Sequence, residues 1–292
     1  MHWALNASAF DPVPLDDVGL AYFIPHFLTE DEVQHVRRIT GGSQTLSSGR
    51  ASYASVEASR PWDRGADAVL AAIEHRMGYL VGIPPHADEA PMRISVNRPW
   101  AGSAAALGSE RDFSLQNLHL DKQAVPGRDD GSSRRVVAVL AYLSDSAADD
   151  LEGGETLLPC LRGGASTIAP ELCARLEAGY RTHERFLAPP GGGIYARHSC
   201  FDAEAAREAS WLCFTARDAA TTGGSAAQDG CDAARPETPL RRLGTGTAVV
   251  PQRGSAIVFD STATHMWHGG CRVWRGEKWT IQHFKEAPRL SR

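Results

Sequence analysis

The run Val136-Val137-Ala138-Val139-Leu140-Ala141-Tyr142-Leu143 limits the architecture more than any other stretch. It is nearly continuous in apolar residues, rich in β-branched valine, and far shorter than a membrane helix needs. Such a run reads as a strand buried on both faces, so it must sit between two apolar layers. The chain supplies candidates for both. Thr29-Glu30-Asp31-Glu32 reads as a capping box opening a helix, with Val33, Val36 and Ile39 at helical spacing and Gly41-Gly42 beyond. A second helix is expected over about 66–81, with Val69, Leu70, Ile73, Met77 and Leu80 on one face and Gly82 past its end. From Pro91 the period changes to that of strands: 93–97, 117–121, 156–159, 246–251, 255–260, 265–273 and 277–284. Two helices followed by eight or so short strands indicate an α+β chain with a β-sandwich or jelly-roll core and supporting N-terminal helices.

Two stretches fall outside that rhythm. Residues 43–64 are polar and rich in Arg and Ser, and read as a loop. Residues 161–244 contain one short helical pattern (170–180) and an Ala/Gly/Thr/Asp-rich segment at 216–239 that reads as flexible. The block lacks the large apolar residues for a core of its own, so it reads as an insertion. The expected organisation is one domain over 1–292, with helical support at 1–90, β core at 91–160 and 245–286, and the insertion between.

Composition removes several classes of function. Net charge is −5 with both signs interspersed, so no nucleic-acid partner is expected. No apolar run is long enough for a membrane span, and Met1 to Asn6 shows no basic-then-apolar leader. The compartment and the oligomeric state stay open. None of the six cysteines forms a Cys-x-x-Cys pair, which argues against a structural zinc site. Cys160, Cys173, Cys200, Cys213 and Cys231 are close enough in sequence for local bridges in an oxidising compartment, whereas Cys271, in a core strand, is expected to be a free thiol.

Chemistry enters at Asn117-Leu118-His119-Leu120-Asp121. In a strand, side chains alternate faces, so His119 and Asp121 share one side. An imidazole and a carboxylate so placed are two corners of a 2-His-1-carboxylate site, which needs one more histidine. His265 and His268 both stand at the start of a later strand and either reaches. Lys278, Thr280, Gln282 and Phe284 share one face of the last strand, and Trp279, Ile281 and His283 the other, where His283 is expected to pack or cap. Glu155 and Thr156 read as residues that fix a turn.

In this order, His119-x-Asp121, the Arg135–Asp145 segment, Gly153-Gly154-Glu155-Thr156, His268-Gly-Gly-Cys271-Arg-Val273 and Gly276-Glu277-Lys278-Trp279 resemble the prolyl 4-hydroxylase family of Fe(II)- and 2-oxoglutarate-dependent dioxygenases. The resemblance implies a double-stranded β-helix, with His119, Asp121 and His268 as iron ligands and 2-oxoglutarate, O2 and ascorbate as co-substrates and reductant. It implies that Lys278 pairs with the far carboxylate of 2-oxoglutarate, an ammonium making a charge-assisted bond to a buried anion. Thr280 is placed to touch the same molecule, and Tyr142 takes either a packing or a co-substrate role. Arg135 resembles the family's arginine beside the substrate groove, and Phe284 falls near its mouth. Departures are confined to the substrate side: Gln116 where a tyrosine is usual, Phe284 for a tryptophan, Ala138 for a threonine. The expected activity is hydroxylation of prolyl residues in a peptide or protein, with a Pro-rich segment among the candidate substrates. The alternatives are the same chemistry on a lysyl side chain or small molecule, and a non-catalytic peptide-binding module.

Overall fold

The apolar run becomes β7 (Arg135–Tyr142), and it is enclosed on both faces in the computed structural model of the chain. Described are residues 3–40, 47–51, 55–61, 67–99, 115–121, 135–146, 148–161, 173–174, 240–243, 246–263, 265–271 and 273–288, with backbone alone at 47–51, 55–61, 115–119, 240–243 and 246. The other strands are β1 (Val13–Pro14), β2 (Ala21–Ile24), β3 (Ser47–Ala51), β4 (Ser55–Pro61), β5 (Arg93–Pro99) and β6 (Leu115–His119). After β7 come β8 (Glu152–Gly153), β9 (Thr156–Leu158), β10 (Leu240–Leu243), β11 (Gly246–Val249) and β12 (Ala256–Asp260). The chain closes with β13 (His268–Cys271), β14 (Val273–Arg275) and β15 (Lys278–Glu286).

Eight strands form a major sheet in the order β1-β2-β12-β7-β15-β5-β4-β3, and five form a second sheet, β10-β11-β9-β13-β6. From β5 onward the chain crosses repeatedly between the two, β5, β7, β12 and β15 in the major sheet alternating with β6, the β9–β11 run and β13 in the second, while β8 and β14 pair apart. That is the winding of a double-stranded β-helix. Alternation along the strands sorts the core. Ala138, Tyr142, Ile257 and Phe259 point between the sheets with Leu158 and Trp267, while Val137, Val139, Val258, Trp279 and Ile281 point to the helices.

The helices α1 (Glu30–Ile39) and α2 (Ala68–Val81) supply the outer layer through Val33, Val36, Leu70, Ile73, Met77 and Leu80. Thr29 and Glu32 close the capping box, and Glu32 also pairs with Arg76 of α2 at 2.6 Å. The second helix begins two residues later than its apolar period indicates, because the Asp67 carboxylate caps it by accepting from the Val69 and Leu70 amides. Its last turn ends at Gly82, where φ is +67°.

Two expectations need correction. The polar stretch 43–64 holds the two paired strands β3 and β4, which extend the major sheet from β5. Ladder hydrogen bonds need only backbone, so an edge pair can form without the apolar alternation that marks a core strand. Cys271 is disulfide-bonded, not free. It is the last residue of β13, where the chain leaves the sheet and a second segment can approach. Cys160 bridges Cys173, as the local spacing allows, and Cys200, Cys213 and Cys231 lie outside the described residues. His283 is buried on the helix-facing side of β15, beside Glu74 and Glu89. The expected helix at 170–180 and flexible segment at 216–239 lie outside the described residues, except Cys173 and Ala174. Among the described residues no helix is long and apolar enough to cross a membrane.

Candidate active site

Pairing of β6 with β13 sets His119 directly opposite His268 in register, bringing two histidines from distant parts of the chain together. Asp121 follows β6 and is 3 % exposed. Its Oδ2 lies 3.5 Å from Nε2 of His268. The His268 ring is oriented from behind: Nδ1 is 2.9 Å from the Met266 carbonyl. A carbonyl only accepts, so Nδ1 carries the hydrogen and Nε2 presents its lone pair toward the carboxylate. Phe259 packs on the ring at 4.6 Å and limits its rotation. A neutral imidazole nitrogen and a carboxylate oxygen converging in a buried place fit a divalent metal, with the backbone of His119 alongside. His265 precedes β13, in the turn that leads to it.

Next to this pair lies a second polar group built across the two sheets. Lys278 opens β15 and is 4 % exposed. Its ammonium donates to Oγ1 of Thr156 in β9 at 3.2 Å and stands 5.6 Å from the Tyr142 ring. The Tyr142 hydroxyl donates to the same Oγ1 at 2.7 Å. Complete burial pushes the phenol well above its ordinary range, so it stays a donor. A threonine oxygen that accepts twice has its own hydrogen to give, so Lys278 and Thr156 both present donors to an anion. The turn before Thr156 makes room for the lysine stem. Gly154 has φ +75°, and a Cβ there would come within 3.2 Å of Lys278 Cδ. Thr280 is buried on the same face of β15 and pairs in register with Tyr142.

The third group is Arg135 and Phe284. The guanidinium lies 3.8 Å above the Phe284 ring, and Nη1 donates to the Asp121 carbonyl at 3.3 Å. The structure thus brings Asp121, Arg135, Tyr142, His268, Lys278, Thr280 and Phe284 into one region between the sheets, with the backbone of His119 in register beside His268. It adds Thr156, which the sequence reading takes for a turn residue. Its role depends on two partners, at 142 and 278, that no local pattern connects to it.

The sequence pattern of the 2OG-Fe(II) oxygenase superfamily matches residues 110–285, more than half of the chain. The chain belongs to the 2OG-Fe(II) oxygenase superfamily. The superfamily's oxidative chemistry uses Fe(II), 2-oxoglutarate and O2, which makes this oxygenase an oxidoreductase. Similar solved structures include a prolyl-4-hydroxylase of Pseudomonas putida, at 12% identity and TM-score 0.43, covering 91% of this chain and 92% of that one. Another is the viral collagen prolyl hydroxylase of Paramecium Bursaria Chlorella virus-1, at 12% identity and TM-score 0.47, covering 94% and 100%. Likeness at that level carries no argument about what this oxygenase acts on. No curated protein matches the chain.

Proposed function

We propose that this oxygenase hydroxylates prolyl residues in a peptide or protein, with His119, Asp121 and His268 holding Fe(II). The observation that carries the reading is the convergence of His268 Nε2 and Asp121 beside the Lys278–Thr156–Tyr142 group. Fe(II), when bound with 2-oxoglutarate and O2, supplies the oxidising power for the hydroxylation, with succinate and carbon dioxide as the other products. The rest is the work of the chain. Lys278 and Thr156 fix the far carboxylate of 2-oxoglutarate by two donors, and Tyr142 and Thr280 wall that end. Met266 keeps His268 in the tautomer that leaves Nε2 basic. Trp267, Leu158 and Phe259 keep the interior dry, which strengthens every charged contact inside. Arg135 and Phe284 form the wall against which the peptide lies, and ascorbate serves as external reductant.

A second reading is the same oxidation of a non-prolyl substrate. It is favoured by the mouth itself, where a guanidinium covers the phenyl face that would otherwise be offered to a pyrrolidine ring. The deciding experiment is succinate release from 2-oxoglutarate in the presence of Fe(II), across proline-containing peptides and matched proline-free ones, with hydroxyproline assayed in the product. Peptide-dependent succinate with hydroxyproline supports the proposal. Succinate stimulated equally by the proline-free set would move the assignment to the second reading.

A further inference from the structure

On the far side of β15 from the site, four charged or titratable groups are buried together: Glu74 of α2, Glu89 of the segment joining α2 to β5, and His283 and Lys285 of β15. Nε2 of His283 lies 3.5 Å from Glu74 and 3.3 Å from Glu89. Glu74, Glu89 and His283 offer ligand atoms within 4.8 Å of one another, as a metal would require. The Lys285 ammonium, 2.6 Å from Glu89 Oε2, already supplies a cation there, so the cluster is completed by the chain itself. Burial works to raise the Glu89 carboxyl, but the hydrogen bonds and charges of His283 and Lys285 outweigh it and hold Glu89 below its usual range.

What Glu89 holds is more specific than a charge. Its Oε1 accepts the backbone N–H of Glu286 at 3.1 Å, while its Oε2 takes Lys285. His86, one turn earlier in the same segment, donates Nε2–H to the Glu286 carbonyl at 2.9 Å. Both backbone groups of Glu286 are therefore gripped from outside the ladder. Opposite this grip the ladder shifts: Lys285 pairs with Val137 but Glu286 with Arg135, so Val136 is an extra residue in β7. Such a bulge breaks the alternation of side chains. Val136 and Val137 accordingly both belong to the helix-side core. In an unbroken strand with Val137 on the helix side, Arg135 would also point there. The extra residue turns Arg135 to the other face, over Phe284 and against the Asp121 carbonyl.

We propose that Glu89 is a positioning residue for the substrate wall: with His86 it clamps Glu286, and the clamp sustains the bulge at Val136 that turns Arg135 into the active site. The inference rests on the reading of Arg135 and Phe284 as that wall. It makes a residue on the outer layer of the molecule set the affinity for the peptide without touching it.

Two double variants isolate the clamp, because each removes the buried Glu89–Lys285 ion pair as a unit and leaves Glu74 and His283 the same in both. In Glu89→Gln/Lys285→Met the amide oxygen still accepts from Glu286. In Glu89→Leu/Lys285→Met nothing does. The Leu variant is expected to raise the peptide KM at least tenfold, with the 2-oxoglutarate KM and the peptide-independent succinate rate unchanged, whereas the Gln variant stays within about threefold of the parent. Amide hydrogen exchange, followed by mass spectrometry on peptides spanning 133–139 and 283–288, should accelerate at least tenfold in the Leu variant only. Should that variant fail to fold, His86→Leu removes the other half of the clamp and should raise the peptide KM about threefold. Parent-like exchange and KM in the Leu variant would overturn the proposal, as would equal losses in both doubles, which mark a packing role. If the parent itself makes no succinate, the proposed function falls while the exchange measurement still decides the clamp.

Discussion

Lys278 and Lys285 are on one strand, and both are buried, yet they face opposite ways into different surroundings. Lys285 looks toward the helices and meets a carboxylate at 2.6 Å. Lys278 looks between the sheets and meets a threonine hydroxyl and the face of a tyrosine. A buried ammonium is expensive wherever it is. On the helix side its cost is offset inside the fold, so the lysine serves structure. On the other side its contacts include a threonine hydroxyl and a tyrosine ring at the candidate site, an arrangement suited to a negatively charged co-substrate. Two residues of one type on one strand thus acquire different work from the layer each faces.

The comparison breaks most sharply at the metal. His268→Ala is expected to abolish 2-oxoglutarate turnover and Fe(II) binding, whereas His265→Ala retains most of both. The reverse result would show that the wrong histidine has been placed opposite His119. Next in size, Lys278→Ala should weaken 2-oxoglutarate by roughly two to three orders of magnitude, the equivalent of about 3–5 kcal/mol for an unpaired buried charge. Fe(II) affinity and melting temperature should hardly move. Lys285→Ala should do the opposite: stability falls by on the order of 3–5 kcal/mol in denaturant, while the 2-oxoglutarate KM is kept. A variant of either lysine that moved both quantities equally would erase the distinction between the two faces.

A smaller effect should appear on acidification. Burial holds His283 below its ordinary pKa, so the folded chain resists a proton that the unfolded chain takes. Its contribution is complete above about pH 6.5, the unfolded value, and is lost as pH falls toward the folded one. Glu89, held low, adds a loss of the same sign at more acid pH. Denaturation curves between pH 7.5 and 5 should therefore show falling stability, with the slope near pH 6 removed in His283→Gln. Smallest is the outer layer itself: Thr29→Ala should cost about 1 kcal/mol by removing the cap of α1, with no change in either KM.

Much of this was legible in the residues. Local rules suffice for Thr29 and Glu32, for the alternation of β15 and for the two-sided burial of β7, because each is decided by neighbours in sequence. Asp121 and His268 were readable from residue type and spacing together with the family resemblance. What escaped was decided by the partner. Thr156 differs from an ordinary turn threonine only through Tyr142 and Lys278, and β3 is a strand because β4 offers it a ladder. Glu89 looks like any solvated glutamate until β15 closes over it. The bulge at Val136 is silent in a run of valines, where any register keeps the residues apolar.

The place of β2 in the major sheet also bears on how the chain is made. β2 pairs with β12, Ala21 opposite Phe259 and Ile24 opposite Ala256, and the Trp3 indole donates to Asp260. β2 thus has its main partner more than two hundred residues behind it in synthesis. At ordinary rates, about 5–20 residues per second, it waits with only the two-residue β1 beside it for on the order of ten seconds or more. Phe23 and Ile24 are exposed for that interval, and the sheet can close only after β12 has emerged. Truncation before residue 256 should therefore leave aggregating material, even though the helices and β7 are complete.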